Sequence, residues 1–210
     1  LSAGIFACGE VEHLRGRYAV WFHAMHDADR VYLLARWSDA TPMNNPETFG
    51  GHGFNGDCLQ ARFILFPDTP DQTITWWTLW RDARGVSVAD RASPGRANGV
   101  PDNAMENLPH AEQSGVQQAF AASPDGGGYV QEVAIPWKLL SVSGKTPAPG
   151  SRFRFTIEPN FTAGAFGRIT IKDIFDPKVA APDRIFTFRA YSHWGWATLE
   201  ARSSGTTQPV

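Results

Sequence analysis

Apolar and polar residues alternate along much of this chain with the period of two that belongs to β-strands. The pattern is strictest in Arg152 to Pro159 (RFRFTIEP), where Phe153, Phe155 and Ile157 fall on one face and Arg152, Arg154, Thr156 and Glu158 on the other. Such alternation predicts a strand with one buried and one wet face. Arg17 to His26 and Arg30 to Trp37 flank Asp27-Ala28-Asp29 and read as a hairpin with a short turn. Asp57 to Phe66 is a further strand, stopped by Pro67-Asp68; Gln72 to Arg81 follows, and Asp82 to Gly85 turns it into a short strand at Val86-Val88. Strand patterns resume at Gly115 to Ala121, at Tyr129 to Ile135, and at Arg168 to Asp173, Arg184 to Tyr191 and Gly195 to Ala201. Pro136 opens one short helical turn through Leu140. Residues 90–113 are rich in Ala, Asn, Gly and Pro, lack periodicity and read as a long loop.

About ten strands, one helical turn and no repeat of fixed period predict an all-β protein, an antiparallel β-sandwich of the immunoglobulin-like or DOMON-like kind. The 210 residues are ample for one core and thin for two. The expected organisation is one ligand-binding domain over 1–202 and a polar tail or linker at 203–210. The chain begins at Leu1 without a signal-peptide pattern, as expected of a trimmed mature protein or one module of a longer polypeptide.

Composition narrows the function. Lys and Arg total 19 against 21 Asp and Glu, a net charge of -2, so nothing favours a phosphate backbone as partner. No apolar run approaches the roughly 18 residues of a membrane-spanning helix. Cys8 and Cys58 are two buried thiols or, in an oxidising compartment, one disulfide. His13, His23, His26, His52, His110 and His193 are scattered, and His23 and His26 face opposite ways on one strand, a poor chelate. There is no nucleophile elbow, HExxH, phosphate loop or GxGxxG, so no catalytic residue is assigned and the protein is not expected to be an enzyme. A glycosidase would need a carboxylate pair such as Glu132 and Glu158. Asn160-Phe161-Thr162 is a glycosylation sequon.

Eight Trp supply the flat faces on which the apolar C–H groups of a pyranose stack. Trp76 and Trp80 share a strand face and Trp77 takes the other, so at least one is core. Trp194 and Trp196 share a face of the last strand, where core packing is expected.

Five blocks, in order over about residues 17 to 200, resemble family 9 carbohydrate-binding modules and the wider DOMON-like sandwich group. Val31 to Asp39 (VYLLARWSD) is similar to the family's "LYV…D-P" strand and exit, and Asp57 to Phe63 (DCLQARF) to its "D-S-V-E-I-F" strand. Gly128 to Trp137 (GYVQEVAIPW) is similar to "GY-x-x-E-x-A-I-P-W", the most specific of the five. Phe153 to Asn160 resembles the strand ending in "V-N", and Trp194 to Leu199 the closing "F-G-x-x-x-L".

The resemblance implies a non-catalytic carbohydrate-binding sandwich, secreted or periplasmic, joined to other domains of the same polypeptide. Carried over by position, the first stacking Trp falls on Phe54, the hydroxyl-binding Glu on Gln60 and the strand Asn on Asn160. The second stacking Trp has no clean match; Tyr191 and Phe188 are the nearest aromatics. Trp77, on the neighbouring strand, is expected to complete the ligand-binding face. Family 9 modules often carry calcium, and Asp27, Asp29, Asp39 and Asp57 sit at strand ends where carboxylates could converge on a hard cation. The alternative function in this superfamily is a haem-b electron-transfer domain of the ethylbenzene dehydrogenase type, for which Arg36 to Pro42 is also similar. Its axial ligands would come from Met25 or His23, answered by Lys172 or His193. The Met that this branch places before the strand at Gln72 to Arg81 is missing, as is CxxCH, so tightly bound haem is not expected.

Overall fold

The computed structural model describes residues 5–6, 18–48, 53–93, 104–108, 111–141, 143–162, 168–170 and 194–200. Their strands are β1 (Ile5–Phe6), β2 (Tyr18–His26), β3 (Arg30–Asp39), β4 (Cys58–Leu65), β5 (Thr73–Arg81), β6 (Ser87–Ser93), β7 (Ala104–Leu108), β8 (Gln117–Ala122), β9 (Gly128–Pro136), β10 (Arg152–Thr162), β11 (Arg168–Thr170) and β12 (Gly195–Thr198). One sheet has the order β1-β2-β3-β9-β8; the other runs β11-β10-β4-β5-β6-β7, with β12 also pairing β10. Every pairing is antiparallel. The architecture is the expected all-β sandwich.

The β2–β3 hairpin forms where the sequence places it. Asp27 Oδ1 accepts from the backbone N–H groups of Asp29 and Arg30, both at 2.8 Å, and so closes the turn with its own side chain. The Trp137 indole N–H donates to the Asp27 carbonyl at 3.1 Å, docking the 3-10 turn Trp137–Leu139 on the hairpin.

Inward residues of the two sheets meet in one core. Val20, Phe22, Leu33 and Trp37 from the first sheet pack with Ala61, Phe63, Leu79, Phe155 and Ile157 from the second. Phe155 lies 4.9 Å from the Phe63 ring and 5.7 Å from that of Phe22, and Trp37 stacks on Tyr129 at 5.0 Å. Full burial of each such ring contributes about 1.5–3 kcal/mol.

Three expectations are revised. Residues 90–113 are not all loop: β6 runs on to Ser93 and pairs with β7 inside that segment. The second face of β10 is not wet along its length, because Thr156 and Glu158 are as buried as Phe153 and Phe155. Trp194 and Trp196 part company: Trp194 is buried, whereas Trp196 is exposed, with the Arg152 and Arg154 guanidinium groups 4.6 and 4.3 Å from its ring. Arg184 to Tyr191, Cys8 and the tail at 203–210 lie outside the described residues. Cys58 is buried.

Candidate functional site

The register of the second sheet decides which side chains share its outer surface. Gln60 pairs with Glu158 on β10 and Thr78 on β5, and Thr78 pairs with Asp90 on β6. One row across the outer face therefore reads Glu158, Gln60, Thr78, Asp90. The next row, two residues along, is Thr156, Arg62, Trp76. Outer faces of sandwiches are ordinarily solvated, yet Arg62, Thr156, Glu158 and Asp90 are all 4 % exposed or less.

Burial forces pairing. The Arg62 guanidinium donates to Glu158 Oε2 at 3.1 Å, and the same nitrogen donates to Gln60 Oε1. It also lies 5.6 Å from the Trp76 ring centre. An isolated buried charge would be prohibitive; the carboxylate, the amide oxygen and the aromatic face together hold this one. With Gln60 Oε1 engaged by Arg62, the remaining hydrogen-bonding end of that side chain is the NH2 donor. Arg62 Nε and Asn160 Oδ1, both on this face, are buried without a hydrogen-bond partner among the described residues.

One end of the face is closed by the turn Gly53–Asn55. Phe54 is half-buried there, against Cys58, Trp80 and Val88. The Trp80 ring needs glycine at position 53, since a Cβ there would lie 2.5 Å from it. Asn45 Nδ2 donates to the Gly53 carbonyl at 2.7 Å, and the Trp80 indole to the Glu47 carbonyl at 2.7 Å, so the turn is anchored.

Of the residues expected from sequence, Gln60 and Asn160 do share this face, and Phe54 borders it. Asn160 is fully buried, its amide donating to Cys58 Sγ at 3.2 Å, so the sequon asparagine is enclosed. Trp77 does not belong. It pairs with Ala61 rather than Gln60 and is completely buried in the inter-sheet core, where it cannot stack on a sugar. The ring on the Gln60 face is Trp76. Arg62 was also missed, although its place two residues from Gln60 puts both on one face of the strand. Tyr191, Phe188, Lys172 and His193 lie outside the described residues.

The four aspartates do not converge. Asp27 and Asp29 close the hairpin before β3, whereas Asp39 ends β3 and meets Asp57, which precedes β4. Asp57 accepts from the backbone N–H groups of Asn44 (2.5 Å) and Thr162 (2.6 Å), and Asp39 Oδ1 accepts from that of Thr41 (2.8 Å). Burial, and then the Asp39 charge, push the Asp57 carboxyl up to about 8, and burial raises Asp39 too. Three of the four carboxylate oxygens are thus committed to amides. Calcium takes six to eight oxygens. No group of three or more His, Cys, Asp or Glu that would hold a metal occurs among the described residues. The pair suits a shared proton better than a calcium ion.

For haem, Met25 and His23 lie on one face of β2, and Lys172 and His193, expected to answer one of them across the iron, lie outside the described residues. Glu132 and Glu158 point from the outer faces of different sheets and cannot flank one glycosidic bond.

No protein-family profile matches the sequence, and no curated protein matches it. Solved structures do. A family 9 carbohydrate-binding module from Caldicellulosiruptor kristjanssonii, in complex with cellotriose, superposes over 98 % of this chain and 84 % of its own, with TM-score 0.55 and 16 % identity. The chain has a fold like that of family 9 carbohydrate-binding modules. The same kind of module from that organism in complex with glucose gives a TM-score of 0.53 at 14 % identity, covering 98 % of this chain and 85 % of that one. A Bacteroides uniformis protein described by name as carbohydrate-binding gives 0.56 at 11 % identity, covering 93 % and 86 %. At these identities the likeness is one of fold, and the family 9-like sandwich is its content. No described helix is long and apolar enough to cross a membrane.

Proposed function

We propose that this chain binds carbohydrate, without transforming it, on the outer face of the seven-stranded sheet. The observation that carries the reading is the polar row of Glu158, Gln60, Thr78 and Asp90 beside Arg62 and Trp76, in which buried Glu158, Asp90 and Arg62 support half-buried Gln60, Thr78 and Trp76. The half-buried Gln60 and Thr78, adjacent in that row, offer an amide donor and a hydroxyl to the hydroxyls of a sugar. Half-buried Phe54 and Trp76 supply the apolar faces that pyranose rings stack on. The complexes of the C. kristjanssonii module with cellotriose and glucose support the same class of ligand. The placement of Glu132 and Glu158 on opposite faces removes one candidate glycosidase pair and supports binding without chemistry. The expected setting, one module of a larger protein outside the cytoplasm, belongs to the same reading.

Calorimetric titration against a panel of gluco-, xylo- and manno-oligosaccharides tests it. Wild type binds at least one sugar; Gln60→Ala and Trp76→Ala lose about 1–3 kcal/mol of affinity each, the range of a buried contact in a small site. Absence of heat with every sugar, or undiminished binding by both variants, overturns the proposal.

A further inference from the structure

The other sheet carries a groove on its own outer face. Register places His23, Leu34, Glu132 and Ala119 in one row across β2, β3, β9 and β8, and Met25, Tyr32, Ala134 and Gln117 in the next. Side chains of β2 and β3 on one side and of β8 and β9 on the other line an open groove of about 620 Å³, within the size range of small-ligand sites. Met25 is 68 % exposed; it and Trp196 are the exposed large hydrophobic residues among those described.

Glu132 stands in this groove as the only acid among its described lining residues. Its cross-strand neighbours are Leu34 and Ala119, neither of which can pair with it. It makes no hydrogen bond or ion pair among the described residues. The basic residues of β3 are committed elsewhere. Arg36 lies 4.9 Å over the Trp21 ring, and Arg30 donates to the Gly115 carbonyl at 2.9 Å. The Tyr32 hydroxyl is likewise engaged, donating to Asp27 Oδ2 at 2.7 Å, so within the groove Tyr32 offers its ring. A carboxylate on an apolar floor keeps its hydration only while the groove is empty. Whatever fills the groove strips water from Glu132 and must return strong donors and a positive charge. A neutral sugar would bring many hydroxyls to a surface with few partners for them, and an anion would meet Glu132 directly.

We propose that this groove is a second binding site, independent of the carbohydrate face, for an amphipathic organic cation. The apolar body lies along Met25, Tyr32, Leu34 and Ala134, and the ammonium or guanidinium group caps Glu132.

A matched set of probes separates charge from apolar contact: 4-phenylbutylammonium, 4-phenylbutan-1-ol and 4-phenylbutyrate at pH 7, titrated by calorimetry and by amide chemical shifts. The ammonium is expected to bind at least tenfold tighter than the alcohol, about 1.4 kcal/mol, with the carboxylate weakest. Glu132→Gln, nearly isosteric and exposed, should erase the preference for the cation while leaving alcohol binding in place. Ala119→Trp, which fills the groove from the edge strand, should abolish binding of all three. Saturating sugar should leave the cation titration unchanged. Equal affinity of cation and alcohol for wild type, an undiminished preference in Glu132→Gln, or absence of binding overturns the proposal. None of these results bears on the carbohydrate face, which lies on the opposite side of the sandwich.

Discussion

The two outer faces of this sandwich each carry an outward glutamate in the middle of a strand, and the two glutamates live in opposite worlds. Glu158 is 4 % exposed, ion-paired to Arg62 at 3.1 Å and flanked on the neighbouring strand by the Gln60 amide. Glu132 is exposed, unpaired among the described residues, and flanked by Leu34 and Ala119. Burial leaves a polar face no choice but internal pairing, and the pairing makes it rigid. Such a face presents donors and acceptors at fixed positions, as recognition of a many-hydroxyl ligand requires. An open apolar face needs no such order and takes its specificity from one charge. The two proposed sites would thus give two sheets of one fold two recognition chemistries.

The contrast can be broken most forcibly at the glutamates themselves. Glu158→Ala leaves the Arg62 charge buried without its carboxylate and should destabilise by about 3–5 kcal/mol in urea unfolding. Glu132→Ala should stay within about 0.5 kcal/mol of wild type. Equal costs would erase the distinction drawn between the faces.

Replacing aromatic rings sharpens it. Trp76→Ala should weaken sugar binding by about 1–3 kcal/mol, whereas Trp21→Ala, on the other face, should not change it. A sugar titration in which Trp21→Ala is the damaged variant would move the carbohydrate site to the wrong sheet.

A smaller effect tests the end of the buried face, where Asp57 bonds to Thr162 of β10. The folded-state value of Asp57, about 8, lies above its ordinary value of 3.8. The protonated pair therefore contributes its full stability below about pH 4, and the contribution falls as pH rises toward 8. Melting temperature should fall across that window by at least about 2–4 °C, the shift that roughly 1 kcal/mol gives in a chain of this size. Asp57→Asn should flatten the profile. A profile that rises across the same window in wild type would show that the pair is held as two carboxylates. At pH 8, added calcium chloride should leave the melting temperature unchanged, because three of the four oxygens already accept from backbone amides.

Alternation, turn residues and the order of the blocks were enough to place the β2–β3 hairpin, β4, β5, β9 and β10, and with them the sandwich. Period-two patterning is a property of each strand by itself, so it survives without neighbours. The buried identities of Phe153, Phe155 and Ile157 followed from the same local rule. Gln60 and Asn160 came from position in the blocks, and the structure brings them to one face.

What sequence alone could not decide is which strands lie side by side, in what register, and which outer face is covered. Trp77 looked like the ring beside Gln60 until the pairing of Ala61 with Trp77 turned it inward and brought Trp76 out. The aspartates looked like one cluster until β3 separated Asp27 and Asp29 from Asp39 and Asp57. Glu132 and Glu158 read alike in the sequence, as polar residues alternating with apolar ones, and residues 90–113 hid a strand pair behind an aperiodic composition. A one-residue change of register exchanges the two faces of a strand. The register is fixed by hydrogen bonds between segments as far apart as β4 and β10. Alternation sorts residues into two faces, and only the packed sheet determines whether the polar face meets water.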